Sequence, residues 1–118
     1  DNRQEQREAL ETLVEFNQKL VKNMNIIVKE LSGERLDDTD QFLKGIVDAI
    51  NWEVHVVNGT ISFLNEGKER VNREEFNTKI LALDGAMKEK ADQKMADAIL
   101  ALIPEFENLG VAAEEVLR

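Results

Sequence analysis

The sequence predicts an all-α protein, most simply an antiparallel up-down four-helix bundle with helices over about residues 3–32, 39–66, 73–90 and 92–109. Three observations predict it. Apolar residues recur at helical spacing in successive blocks along the chain. The connectors between blocks are short and polar, which favours antiparallel neighbours. No internal repeat of helix pairs points to a solenoid.

In the first block Leu10, Asn17, Met24 and Leu31 fall every seven residues, with Leu13, Leu20 and Ile27 three later and Val14, Val21 and Val28 four later. Glu8, Glu15, Lys22 and Lys29 occupy the opposite face. Ser32-Gly33 is a stop signal, with Gly33 suited to the left-handed position after the helix. Residues 1–8 carry no apolar side chain and are expected to fray.

The second block, residues 40–66, is the most apolar and holds the only Trp, so it reads as the central helix. Leu43, Ile50, Val57 and Leu64 recur every seven residues, with Val47, Val54 and Ile61 between them and Ile46 alongside. Phe42, Ala49, Val56 and Phe63 widen the stripe, as suits a helix with two or more neighbours. Asp38 or Thr39 is placed to cap it. A β-hairpin over 52–64 competes, because Asn58-Gly59 suits a type I′ turn. The helical reading is preferred: the stripe starts well before Trp52 and passes through Asn58-Gly59 in phase, and a lone ribbon is marginal in water.

Asn65-Glu66-Gly67 ends this block, and Asn72 with Glu75 forms a capping-box-like start for the third. Phe76, Ile80, Leu83 and Met87 share one face. A turn is expected near Lys90-Ala91, with Asp92 capping the fourth helix. Pro104 is expected to kink or end that helix and Gly110 is a second stop, leaving 111–118 as a short docked helix or a loose tail. The whole chain, 1–118, reads as one helical domain.

Composition removes several function classes. Net charge is −9, with acid concentrated in 34–67 and 91–118 and no basic stripe. That argues against nucleic acid or an anionic membrane as partner. Without Cys there are no disulfides or thiolate metal sites, which fits a reducing, cytoplasmic location. No apolar run approaches the ~20 residues that span a bilayer. The chain starts at Asp1 rather than Met, so a removed leader remains open.

Chemistry-bearing motifs are scarce. His55 is the only histidine and falls off the stripe, so a surface role outweighs catalysis. A di-iron carboxylate site needs two Glu-x-x-His motifs, and Glu53 is two residues from the lone His. Asp37, Asp38 and Asp40 lack the calcium-loop pattern and suit helix capping. Asn58-Gly59-Thr60 matches a glycosylation sequon by chance if it is helical. No catalytic residue, metal site or cofactor is expected.

Two groups of residues stand out. Asn17, Glu53 and Thr60 are polar residues on apolar stripes, where such residues can set register or line a pocket. The plainer reading of Glu53 leaves its carboxylate in water at the stripe's edge; the sharper one joins it to Asn17 in a buried polar layer. Phe16 and Ile26 flank the first stripe, and Trp52 and Phe63 the second. They either widen the core, the slightly favoured reading, or form an exposed partner surface.

The stretches Asn51–Gly67 and Ala91–Asp97 leading to Pro104 resemble an uncharacterised all-helical family of Gram-positive bacteria. The resemblance implies a helical, cytoplasmic protein, supports helix over 51–67, and implies no catalytic residue. The leading functional expectation is a non-enzymatic interaction module, an adaptor or small acidic chaperone that binds another protein or itself, a homodimer included. The alternative is a ligand-binding or sensory bundle with a pocket between helices near Glu53 and Trp52.

Overall fold

In a computed structural model of the chain, which describes residues 2–118, the apolar stripes become four helices: α1 (Asn2–Leu31), α2 (Thr39–Leu64), α3 (Arg73–Glu89) and α4 (Asp92–Leu117). The described residues contain no strand. The hairpin alternative is excluded: α2 is continuous through Asn58-Gly59, which is exposed, while Val56, Val57, Thr60, Phe63 and Leu64 form its buried face.

Local chemistry sets the boundaries. Gly33, at φ +118°, lets the chain leave α1. Asp38 stands at the start of α2 but makes no side-chain cap. Its ψ of 11° is not the extended backbone that capping needs. Thr39 takes over the junction instead. Its hydroxyl accepts from the Leu36 N–H and donates to the buried Glu30, both at 2.8 Å, which ties the end of α1 to the start of α2. After α2, Asn65 organises the turn by accepting from the Arg70 and Val71 N–H groups and donating to the Val71 carbonyl, each at 2.9 Å.

Asn72 caps α3 by accepting from the Glu75 N–H at 3.0 Å. Lys90 adopts a left-handed conformation, φ 54°, and turns the chain. Asp92 does not cap α4, which starts after Ala91 with no side-chain cap. Its carboxylate is held by Arg35 at 2.6 and 3.0 Å, so the connector guanidinium has taken the acceptor that a cap would use.

α4 also departs from expectation by running through Pro104 and Gly110 to Leu117. The ring removes one helical N–H, but the carbonyl left over belongs to Leu100, which is exposed and can bond water. The last turns are docked: Ala112 and Ala113 are buried, and Arg7 of α1 donates to the Leu117 carbonyl at 2.9 Å. At the other terminus α1 is helical from Asn2, and Arg3 pairs with Glu66 at 2.8 Å across to the end of α2.

The helices alternate up and down. α1 and α4 form the closest pair, α2 lies against α1, and α3 lies against α4 through Phe76 and Phe106, whose ring centroids are 5.3 Å apart. The central elements are therefore α1 and α4 rather than α2. α4 presents Ala96, Gly110, Ala112 and Ala113 as buried residues, and at Gly110 its backbone comes up against Asn17 of α1.

Candidate functional site

The α1–α2 side of the bundle opens into a cleft of about 670 Å³. Its α1 wall is Thr12, Phe16, Lys19, Leu20 and Asn23, spaced at three, four and seven along one helical face. On α2, Phe42, Ile46 and Ala49 line the middle, Gln41 closes one end and Trp52 and Glu53 close the other. Gly45 also lines it, and a Cβ built there meets nothing within 4 Å. Missing side-chain volume at Gly45 and Ala49, beside the larger Phe42 and Trp52, leaves the two helices bridged over empty space.

Glu53 is the cleft's only carboxyl and is 1% exposed. Its Oε1 accepts from Asn17 Nδ2 at 3.0 Å, and the same amide donates to the Phe106 carbonyl of α4 at 3.0 Å. Asn17 is thus the hinge of a polar cluster that spans three helices. Gly110 makes room for it: a Cβ at that position would lie 2.5 Å from Asn17 Oδ1. Glu53 Oε2 is buried and has no hydrogen-bond partner. Burial pushes the Glu53 carboxyl up to about 7, opposed by the Asn17 hydrogen bond. The plainer expectation, a carboxylate in water at the stripe's edge, is overturned. The edge of α2's stripe faces Asn17, and the close approach of α4 shuts out solvent.

The other candidates divide. Thr60 is buried, but its hydroxyl donates to the Val56 carbonyl of its own helix at 2.7 Å and serves neither Asn17 nor Glu53. Phe16 and Trp52 meet at the cleft's Glu53 end, edge to face with centroids 5.9 Å apart, and are 56% and 39% exposed. Ile26 is exposed but does not line the cleft. Phe63 belongs to no exposed patch: it is buried, under the Arg3 guanidinium at 4.1 Å. His55 is exposed and outside the cleft.

Two contributors were not evident as such. Gly110 read as a helix stop, although its place four residues after Phe106 on the same apolar face was a signal of close packing. Gly45 gave no signal beyond lying one residue from Ile46. Glu53 did carry one, since Ile46, Glu53 and Thr60 form a single seven-residue row.

Among the described residues no group of three or more His, Cys, Asp or Glu side chains is placed to hold a metal ion. No described helix is long and apolar enough to cross a membrane. No curated protein and no solved structure matches the chain. One family model does, over residues 8–110, a range that takes in every cleft residue together with Asn17, Phe106 and Gly110. The chain belongs to that family, described as a domain of unknown function, DUF8042.

Proposed function

We propose that this protein is a ligand-binding helical bundle whose α1–α2 cleft receives a small amphipathic molecule. The observation that carries the reading is Glu53 Oε2, a buried oxygen without a partner in the wall of an apolar cleft. Leaving such an atom unpaired costs about 1–3 kcal/mol or more when charged. A ligand donor in this cleft would recover that cost. The cleft's volume falls in the range of small-molecule sites, which are mostly apolar with a few placed polar groups. Binding is favoured over catalysis because Glu53 stands without a second carboxyl, an imidazole or a thiol in the cleft.

The test uses Trp52, the only Trp, as reporter. Titration with a neutral apolar dye such as Nile red is expected to change Trp52 emission saturably at one site. Gly45→Leu, which fills the cleft, is expected to abolish the change while the helical circular dichroism persists. Dye binding that never saturates, or that survives Gly45→Leu, overturns the reading.

A second reading, the docking of another protein's helix, is favoured by the cleft's length. It runs beside α1 from Thr12 to Asn23, about 17 Å at 1.5 Å per residue, enough for three turns of a partner helix. The exposed Phe16 and Trp52 would be its anchors.

A further inference from the structure

The ligand's head group can be argued from the charges around Glu53. We propose that the Glu53 end of the cleft takes the protonated amine of an amphipathic ligand, a primary or secondary organic amine, with the ligand's apolar body along Leu20, Ile46 and Ala49. This rests on the cleft being a small-molecule site, as proposed above.

Four observations converge on it. First, Glu53 has one oxygen bonded to Asn17 and the other unpartnered. An ionised carboxylate is an acceptor only, so the missing partner is an N–H or O–H donor. Second, no ion pair among the described residues compensates it. From α1 it faces the neutral Asn17 amide, and from α4 the Phe106 carbonyl beyond that amide. Lys19 lines the cleft but is exposed and makes no bond to Glu53. A ligand cation would therefore meet an uncompensated buried carboxyl, and a charge-assisted hydrogen bond is about twice as strong as a neutral one.

Third, Phe16 and Trp52 stand edge to face at this same end. Trp offers the most favourable aromatic face for a cation. Fourth, the chain carries net charge −9, which raises the local concentration of cations around it. A fatty-acid carboxylate would instead place a second negative charge beside Glu53, and a quaternary ammonium has no N–H for Oε2. Because Oε2 is closed to solvent, the amine reaches it only as a covering side chain moves aside.

The experiment compares three ligands of one tail length, decylamine hydrochloride, decanol and sodium decanoate, below their micellar concentrations and at about pH 8, where Glu53 is mostly ionised. Binding is read by calorimetry and Trp52 emission, on the wild-type chain, Glu53→Gln and Phe16→Leu. Decylamine is expected to bind wild type about tenfold more tightly than decanol. Glu53→Gln keeps an acceptor for Asn17 and is expected to erase that preference. Phe16→Leu, at an exposed position that should not unfold the bundle, is expected to reduce the preference severalfold.

Equal binding of decylamine and decanol overturns the amine head group and leaves the cleft reading standing. Tightest binding by decanoate overturns it in favour of an anion. A decylamine preference that survives Glu53→Gln assigns the amine to the acidic surface and overturns it too. If none of the three saturates, the cleft reading itself fails. Should Glu53→Gln not fold, an unchanged preference in Phe16→Leu is the result that sinks the ring-and-carboxylate site.

Discussion

α1 is packed on two sides in opposite ways. Toward α4 the contact is interlocked: Gly110 lies so close to Asn17 that a Cβ would collide at 2.5 Å. Toward α2 the same helix borders a cleft, and a Cβ at Gly45 would touch nothing within 4 Å. Both sides are apolar at helical spacing, and both have a glycine inside a helix. One glycine is needed because backbone and side chain meet there, and the other leaves a space unfilled. The lesson is that a glycine in an apolar stripe marks either the tightest or the loosest part of an interface, and only the neighbour across from it tells which.

The largest effect is expected at the tight side. Gly110→Val must push Asn17 away from both Glu53 and the Phe106 carbonyl. Overpacking and two lost buried hydrogen bonds should cost about 3–5 kcal/mol in a urea titration. A loss below about 1 kcal/mol would mean that the polar cluster yields without resistance.

Next comes the pH dependence of Glu53. Its folded-state pKa, about 7, lies above the ordinary value of 4.5, so between these limits the folded chain holds a proton that the unfolded chain has released. The destabilisation is absent below pH 4.5, grows as pH rises through 7, and then levels off at about 3 kcal/mol. Asp92 and Glu115 are lowered by the hydrogen bonds of Arg35 and of Arg70 and Lys68, so their contribution is lost as pH falls below the ordinary carboxylate range, outside this window. Glu53→Gln should therefore gain stability over wild type between pH 5 and pH 8, as read by paired urea titrations. Parallel curves for the two proteins across that span would show that Glu53 is ionised without penalty.

On the loose side, Gly45→Ala should stabilise the bundle by about 0.5–1 kcal/mol, the helix-propensity difference, because nothing opposes the added methyl. A rise in melting temperature here beside a fall in Gly110→Ala would give the two glycines opposite signs. The smallest effect belongs to Arg35→Ala. Its pairs with Asp40 and Asp92 are exposed, so the melting temperature should drop slightly, and the difference should vanish near 1 M salt.

Much of this was legible beforehand. The seven-residue rows specified α1 and α2, Asn72 announced α3, and the turn near Lys90-Ala91 fell where it was expected. The misread positions share a cause. Asp38, Asp92, Pro104 and Gly110 are local signals whose effect depends on what lies across from them. Arg35 engages Asp92, solvent is available to the Leu100 carbonyl, and Asn17 sits against Gly110.

The same division runs through the site. Sequence alone determined that four amphipathic helices would bury their stripes against one another, since that is the only way to remove those faces from water. It also singled out Asn17 and Glu53 as polar residues within those stripes. Only the tertiary structure decided that α4 rather than α2 would lie closest to α1, and that the cleft would fall beside Glu53. Those outcomes depend on side-chain volumes meeting across helices distant in sequence, a property of pairs that no single helical stripe contains.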